Sequence, residues 1–226
     1  MKLVLTSGGI SNKSILNKLK EFIGMDFHNL NLLFCITAAA YDGGCMNSWL
    51  IDDLKMLDNL GFNIDVCDIN GIPKDKLFSR LEWADVLYFE GGNTQWLMES
   101  IKRLKLENIL KEMLNEKIWI GASAGSCVLC PTISNACQDL YDEDVSEFTK
   151  DGLGFVDFQF MPHLDNEMCY NIAYDKIVDS SKKLALKDGK ELYALDDNSA
   201  LFVRDFEVEV VSEGNWFKLE VSSDEK

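Results

Sequence analysis

The stretch Lys117-Ile118-Trp119-Ile120-Gly121-Ala122-Ser123-Ala124-Gly125-Ser126-Cys127-Val128-Leu129 decides how this chain is read. It begins as a short apolar strand, passes through a glycine-flanked serine and continues as the start of a helix. The pattern is G-x-S-x-G, in which a sharp strand-to-helix turn lifts the serine hydroxyl clear of the backbone. Gly121 and Gly125 leave the room such a turn needs, because a Cβ at either place would crowd it. Free N–H groups at the start of the helix point to the same spot and suit a developing negative charge. Three fixed residues in five recur by chance, so the weight lies in the strand before and the helix after.

Working outward, the first half alternates buried-type strands with amphipathic helices. Strands are expected at Lys2–Thr6, Asn31–Ala38, Phe62–Cys67, Asp85–Phe89 and in the stretch before Ser123. Helices are expected at Asn12–Phe22, Trp49–Leu60, from Pro73 to Leu81, at Gln95–Leu104 and at Leu106–Leu114. Such alternation implies an α/β fold, a mostly parallel sheet covered by helices on both faces. In these sheets ligands gather beyond the carboxyl ends of the strands. Four tight turns fall there, Ser7–Gly9, Ala39–Gly44, Gly91–Thr94 and Gly121–Gly125, and they should converge on one crevice.

Past the elbow the pattern changes. Gln138–Asp151 is acidic and reads as a solvated loop. Phe158–Met161 is a short strand followed by Pro162-His163-Leu164-Asp165, and Glu167–Leu184 has helical spacing. Glu191–Leu195 is a strand ending in Asp196-Asp197. Ala200–Arg204, Val208–Val211 and Trp216–Leu219 read as short antiparallel strands closing the sheet. Residues 1–226 are expected to form one domain, with 222–226 a frayed tail.

The formal net charge of −16 argues against nucleic acid and anionic membranes as partners. No run approaches the length of a membrane-spanning helix, and the opening Met1–Ser7 is too short for a signal peptide. Seven cysteines, several in apolar runs, imply buried reduced thiols and a cytoplasmic location. The single C-x-x-C, Cys127 to Cys130, falls inside the expected elbow helix.

A serine hydroxyl needs a base, and histidine is the usual one. The chain has two. His28 lies between a helix and a strand start, at the amino end of the sheet. His163 follows a strand and lies at the carboxyl end, on the same side of the sheet as Ser123, so His163 is the candidate base. A carboxylate should fix its tautomer. Asp165 is too close in sequence to reach behind the ring, which leaves Asp196, Asp197 and, in the acidic loop, Asp139. Strand alternation sends Asp196 and Asp197 to opposite sides, so only one can serve. The Ala124 N–H would be one oxyanion donor and the Gly92 N–H the second. Two histidines and no ligand cluster imply no metal, and no cofactor is expected.

Taken in order, Gly91-Gly92-Asn93-Thr94, Gly121-Ala122-Ser123-Ala124-Gly125, Cys130-Pro131-Thr132-Ile133 and Pro162-His163 resemble the peptidase E family. The resemblance spans about Lys2 to Arg204. It implies a class I glutamine-amidotransferase-like, flavodoxin-like fold and a serine peptidase acting on short peptides; a monomer or homodimer is expected, and the sequence does not choose between them. It assigns Ser123 as nucleophile, His163 as base, Gly92 and Ala124 as oxyanion donors, and Asp197 as the acid. It also implies cleavage of dipeptides after an N-terminal aspartate, read by an arginine in the segment after the histidine. From Leu164 to Leu184 this chain has no arginine, only Lys176, Lys182 and Lys183, and lysine does not reproduce a bidentate grip on a carboxylate. Peptidase chemistry is therefore expected without the aspartyl preference. The other readings of the same residues are a non-catalytic binding protein and an amide or ester hydrolase.

Overall fold

A computed structural model describes residues 1–41, 48–133, 140, 151–164 and 173–220. The chain builds strand β1 (Lys2–Thr6), helix α1 (Lys13–Ile23), β2 (Asn31–Cys35), α2 (Ser48–Asn59), β3 (Asn63–Cys67), α3 (Lys74–Trp83) and β4 (Val86–Phe89). There follow α4 (Thr94–Leu104), α5 (Glu107–Met113), β5 (Ile118–Ala122) and α6 (Ala124–Cys127). The C-terminal part holds β6 (Gln159–Met161), α7 (Tyr174–Asp188), β7 (Leu192–Leu195), β8 (Ser199–Arg204), β9 (Glu207–Ser212) and β10 (Trp216–Leu219).

Seven strands form one sheet in the order β3-β2-β4-β5-β1-β8-β9. The first five are parallel, and β8 and β9 add antiparallel on the β1 side. The apolar strands predict this, since every residue of β4 and β5 is buried and needs cover on both faces. On one face Val4, Ile120 and Phe202 pack with Ile15, Leu19 and Leu57 of α1 and α2. On the other, Leu5, Phe89 and Trp119 pack with Leu81, Leu97, Leu110 and Ala124 of α3 to α6. Helix α1 starts where Asn12 Oδ1 accepts the Ile15 N–H at 3.0 Å and stops at Gly24, φ 74°.

The C-terminal strands depart from the expectation of a single closing sheet. Strand β10 does not join the large sheet. With β7 and β6 it forms a separate three-stranded sheet in the order β10-β7-β6. The reason lies in the turn after β9. Asp196 donates its N–H to Asn215 O at 3.0 Å and accepts the Asn215 N–H on Oδ2 at 2.5 Å. That pairing carries the chain away from β8 and lays Trp216–Leu219 along β7. The small sheet has two apolar sides. Phe160, Tyr193 and Leu195 face the large sheet, whereas Met161, Leu192 and Ala194 meet Ile177 and Leu184 of α7.

Two further expectations shift. The second strand ends at Cys35 rather than Ala38, because the chain then turns, with the Ala40 N–H bonded to Ile36 O. The last helix runs on to Asp188, where Gly189 at φ 60° caps it, and its expected start at Glu167 lies outside the described residues. Most of Gln138–Asp151, Asp139 included, and residues 222–226 also lie outside them.

Gly125 is the tightest point of the sheet–elbow contact. A Cβ there would stand 1.9 Å from Phe89 O, beside the stacked rings of Phe89 and Trp119, whose centroids are 3.9 Å apart. The Trp119 indole N–H bonds to Gly125 O at 3.0 Å. Gly125→Ala is expected to destabilise the protein by about 3 kcal/mol or more, read as a lower denaturant midpoint with unchanged m-value.

Candidate active site

Ser123 stands immediately after β5 at φ 47°, ψ −105°. A residue with a Cβ adopts this region only where neighbours hold it, at a cost of about 1–3 kcal/mol. Strand β1 does the holding. The Ser123 N–H bonds to Thr6 O at 3.0 Å, and Thr6 Oγ1 donates to Gly121 O at 2.8 Å. From α6 the buried Ser126 hydroxyl accepts the Thr6 N–H at 3.0 Å and lies 2.8 Å from Gly121 O. The elbow is thereby tied to its neighbouring strand on both sides. The α-helix after it is a single turn, so its local N–H groups matter here rather than a macrodipole.

The small sheet supplies the partners. His163 follows β6 at φ 59°, buried, with its N–H on Ser7 Oγ at 2.7 Å. Its Nε2 is 2.8 Å from Ser123 Oγ, and its Nδ1 is 2.6 Å from Asp197 Oδ1. A proton on Nδ1 shared with the carboxylate leaves Nε2 as the acceptor for the serine hydroxyl. Asp197 lies in the connection from β7 to β8. Its neighbour Asp196 is occupied elsewhere, Oδ1 accepting from Asn198 N–H at 3.0 Å and Ser199 Oγ at 2.6 Å. Of the acids weighed from sequence, Asp197 is the one beside His163, while Asp139 and Asp165 lie outside the described residues. His28 is exposed and bonded to Asp26.

Ser7, to which the sequence pointed only as part of a turn, belongs to this cluster. Its hydroxyl donates to Asp197 Oδ1 at 2.6 Å while accepting the His163 N–H. The signal was its position, a small polar residue at the carboxyl end of the strand paired with β5.

The Gly91-Gly92 turn closes the other side. A Cβ at Gly91 would lie 3.4 Å from Ser123 Cβ. Gly92 has φ 124°, and a Cβ there would come within 2.4 Å of the Ala38 backbone. The Asn93 N–H bonds to Ala38 O at 3.1 Å, and Asn93 Oδ1 caps α4 through the Trp96 N–H at 2.8 Å. Three of the turns read from sequence, those at Ser7, Ala39 and Gly91, thus meet around Ser123, while Gly43 and Gly44 lie outside the described residues. Cys35, Cys67, Cys127 and Cys130 are buried and take part in no disulfide. Burial pushes Cys35 and Cys130 up to about 12.

A second acidic group borders the site. Glu90, the last residue before Gly91, is 2 % exposed, and its Oε2 has no hydrogen-bond partner. Asp53 of α2 accepts the Tyr88 hydroxyl at 2.9 Å. Burial, with the neighbouring Asp53 charge added, raises Glu90 well above the usual carboxylate range. Burial likewise raises Asp53 from 3.8 to about 6. Both acids hold protons more tightly folded than unfolded, so their penalty is absent below the unfolded values and grows as pH rises from there through the folded ones. Glu90→Gln is therefore expected to raise the melting temperature at pH 7, by about 2–4 °C per kcal/mol relieved. It should also flatten the gain in stability that the natural protein shows between pH 7 and pH 5, as followed by circular dichroism.

The family model that describes peptidase family S51 matches residues 3–211. The chain belongs to peptidase family S51. Among relatives of this S51 peptidase, the Listeria monocytogenes protein named "Uncharacterized peptidase Lmo0363" is 29 % identical over 156 residues, 68 % of this chain and 73 % of that one. Peptidase E of Nostoc is 30 % identical over 118 residues, 52 % of this chain and 46 % of its own. A crystal structure of a Listeria monocytogenes protein assigned to peptidase E superposes with a TM-score of 0.77 at 27 % identity, covering 94 % of this chain and 98 % of that one. A peptidase from an acI-B1 actinobacterium shares the fold at TM-score 0.69 and 20 % identity, over 98 % and 91 % of the two chains. Among the described residues of the S51 peptidase, no helix is long and apolar enough to cross a membrane.

Proposed function

We propose that this S51 peptidase is a serine-type enzyme that hydrolyses short peptides through an acyl-enzyme on Ser123. The observation that carries the reading is the continuous relay from Ser123 Oγ through His163 to Asp197, with contacts of 2.8 and 2.6 Å. His163 Nε2 takes the hydroxyl proton as Oγ attacks the scissile carbonyl carbon. The oxyanion is held by the Gly92 and Ala124 N–H groups, each such donor being worth about 10²–10³ in turnover. The imidazolium then gives its proton to the departing amine, and the C–N bond breaks. Water, losing a proton to the same nitrogen, attacks the acyl-enzyme and releases the acid. Asp197 holds the ring and balances its charge, and Ser7 fixes the carboxylate by donating to it. No step calls on a cofactor.

The three arginines bear on specificity. Arg80 pairs with Asp65, Arg103 bonds to Asn70 and lies over Trp96, and Arg204 bonds to Phe22 O. All are committed away from Ser123, which supports a peptidase without the family's aspartyl preference. A digest of a short-peptide library, compared with Ser123→Ala, tests the reading, and equal cleavage by both proteins would end it. Cleavage confined to simple esters or amides would move the substrate class, and no fluorophosphonate adduct on folded protein would make this a binding protein.

A further inference from the structure

A buried carboxylate beside the Gly91-Gly92 turn, bonded to the Gly91 N–H but with one oxygen left over, calls for a ligand. Glu90 is 2 % exposed and its Oε2 has no bond. It shares its strand face with Tyr88, whose hydroxyl reaches Asp53 Oδ2 at 2.9 Å. A Cβ at Gly9 would lie 2.5 Å from Asp53 Oδ2 and 3.1 Å from Tyr88 Oη, so this acidic group abuts the turn that carries Ser7. Asp53 is half-buried and Glu90 fully buried. One helical turn before Asp53, Trp49 occupies the same face of α2. Trp49 is 39 % exposed, and its ring edge would be 3.8 Å from a Cβ at Gly91.

The charges facing this group are all of one sign. Helix α2 brings Asp53 and Asp52, and Glu90 follows directly on β4. Among the described residues, no lysine or arginine bears on either acid, and residues 42–47 contain none. A buried acid, a half-buried one and an exposed indole, with no described cation of their own, match a positively charged guest that makes charge-assisted hydrogen bonds and lies against an aromatic face. An alkylammonium group carries three donors for these oxygens. A substrate aspartate would meet repulsion in the same place.

We propose that Trp49, Asp53 and Glu90 form a subsite for an alkylammonium group of the substrate beside Ser123. This rests on the serine-peptidase reading and reverses the sign of charge that the site selects. The ammonium has two sources, the α-amino terminus of the peptide and a lysine side chain.

The test uses two fluorophosphonates of equal length, one ending in an ammonium and one in a neutral hydroxyl. The natural protein should be labelled at least about tenfold faster by the cationic probe, and Glu90→Gln and Asp53→Asn should bring the two rates together. The neutral probe reports folding and Ser123 reactivity in every variant. Equal rates for the two probes in the natural protein, or a preference retained in Glu90→Gln, would overturn the subsite. Two peptide arms then separate the sources. A free amino terminus on a peptide with neutral side chains isolates the first, and an N-acetylated peptide containing lysine isolates the second. Faster hydrolysis of either, relative to an acetylated neutral peptide, supports the subsite and names its source, whereas equal hydrolysis of all three overturns it. If neither probe labels Ser123, the serine reading fails and the subsite is judged by calorimetric binding of lysine amide. Binding weakened about tenfold or more in Glu90→Gln upholds it, and no binding to the natural protein rejects it.

Discussion

Ser123→Ala is expected to remove fluorophosphonate labelling and to lower peptide hydrolysis by about 10⁴–10⁶-fold, with no loss of fold. The hydroxyl is the reacting atom in the proposed mechanism, and nothing else on the elbow can take its place. The elbow backbone bears on stability as well. At φ 47°, ψ −105° the residue keeps its conformational cost whether it is serine or alanine. Ser123→Gly is free of that cost, though glycine loses more entropy on folding. The balance favours the glycine variant over alanine by on the order of 1 kcal/mol, or about 2–4 °C in melting temperature. Both variants should be inactive, and only the glycine one should be the more stable. Labelling by mass spectrometry and thermal melts of the three proteins decide it. An alanine variant that hydrolyses peptides as fast as the natural protein would remove Ser123 from the mechanism.

Asp197→Asn should lower kcat by about 10⁴-fold while leaving neutral-probe binding and the melting curve little changed. His163 Nδ1 sits 2.6 Å from Asp197 Oδ1, and the carboxylate keeps the ring proton on that side. An amide can turn its NH₂ toward Nδ1, which drives the proton to Nε2 and points it at the Ser123 hydroxyl. The serine then has no base. Asp196→Asn makes the contrast. That carboxylate accepts from Asn198, Ser199 and Asn215 and touches neither His163 nor Ser123. Its loss should lower stability by about 1–3 kcal/mol while the folded fraction retains its kcat. If Asp196→Asn were the slow enzyme and Asp197→Asn the normal one, the assignment of the acid would be reversed.

The parallel sheet was legible because β1, β2, β4 and β5 are continuous apolar runs, and only burial on both faces explains such strands. The elbow was legible for a related reason, since Gly125 is required by contact with Phe89 O and its pattern is local in sequence. His163 could be found by elimination, with only one other histidine in the chain. The choice between Asp196 and Asp197 could not be read from strand alternation, which separates the two without saying which side holds the ring. It depends on Asn198, Ser199 and Asn215 gathering on Asp196, and the Asn215 contact comes from beyond two further strands. The small sheet was hidden for the same reason. Trp216–Leu219 has the pattern of any short strand, and nothing local says that it pairs with β7 rather than β9. Ser7 and Glu90 carry no motif, and their meaning comes from what the fold places beside them.

The two sheets divide the relay between them. Ser123 belongs to the end of β5, whereas His163 and Asp197 leave β6 and β7, and the two ladders share no strand. A chain that has formed its large sheet but not yet docked the small one therefore carries a serine with no base. In the proposed mechanism, such a half-built molecule is inert toward its own unfolded segments and those of its neighbours. The seam works as a safety interlock, in which the cutting edge comes into being only when the tool is fully assembled.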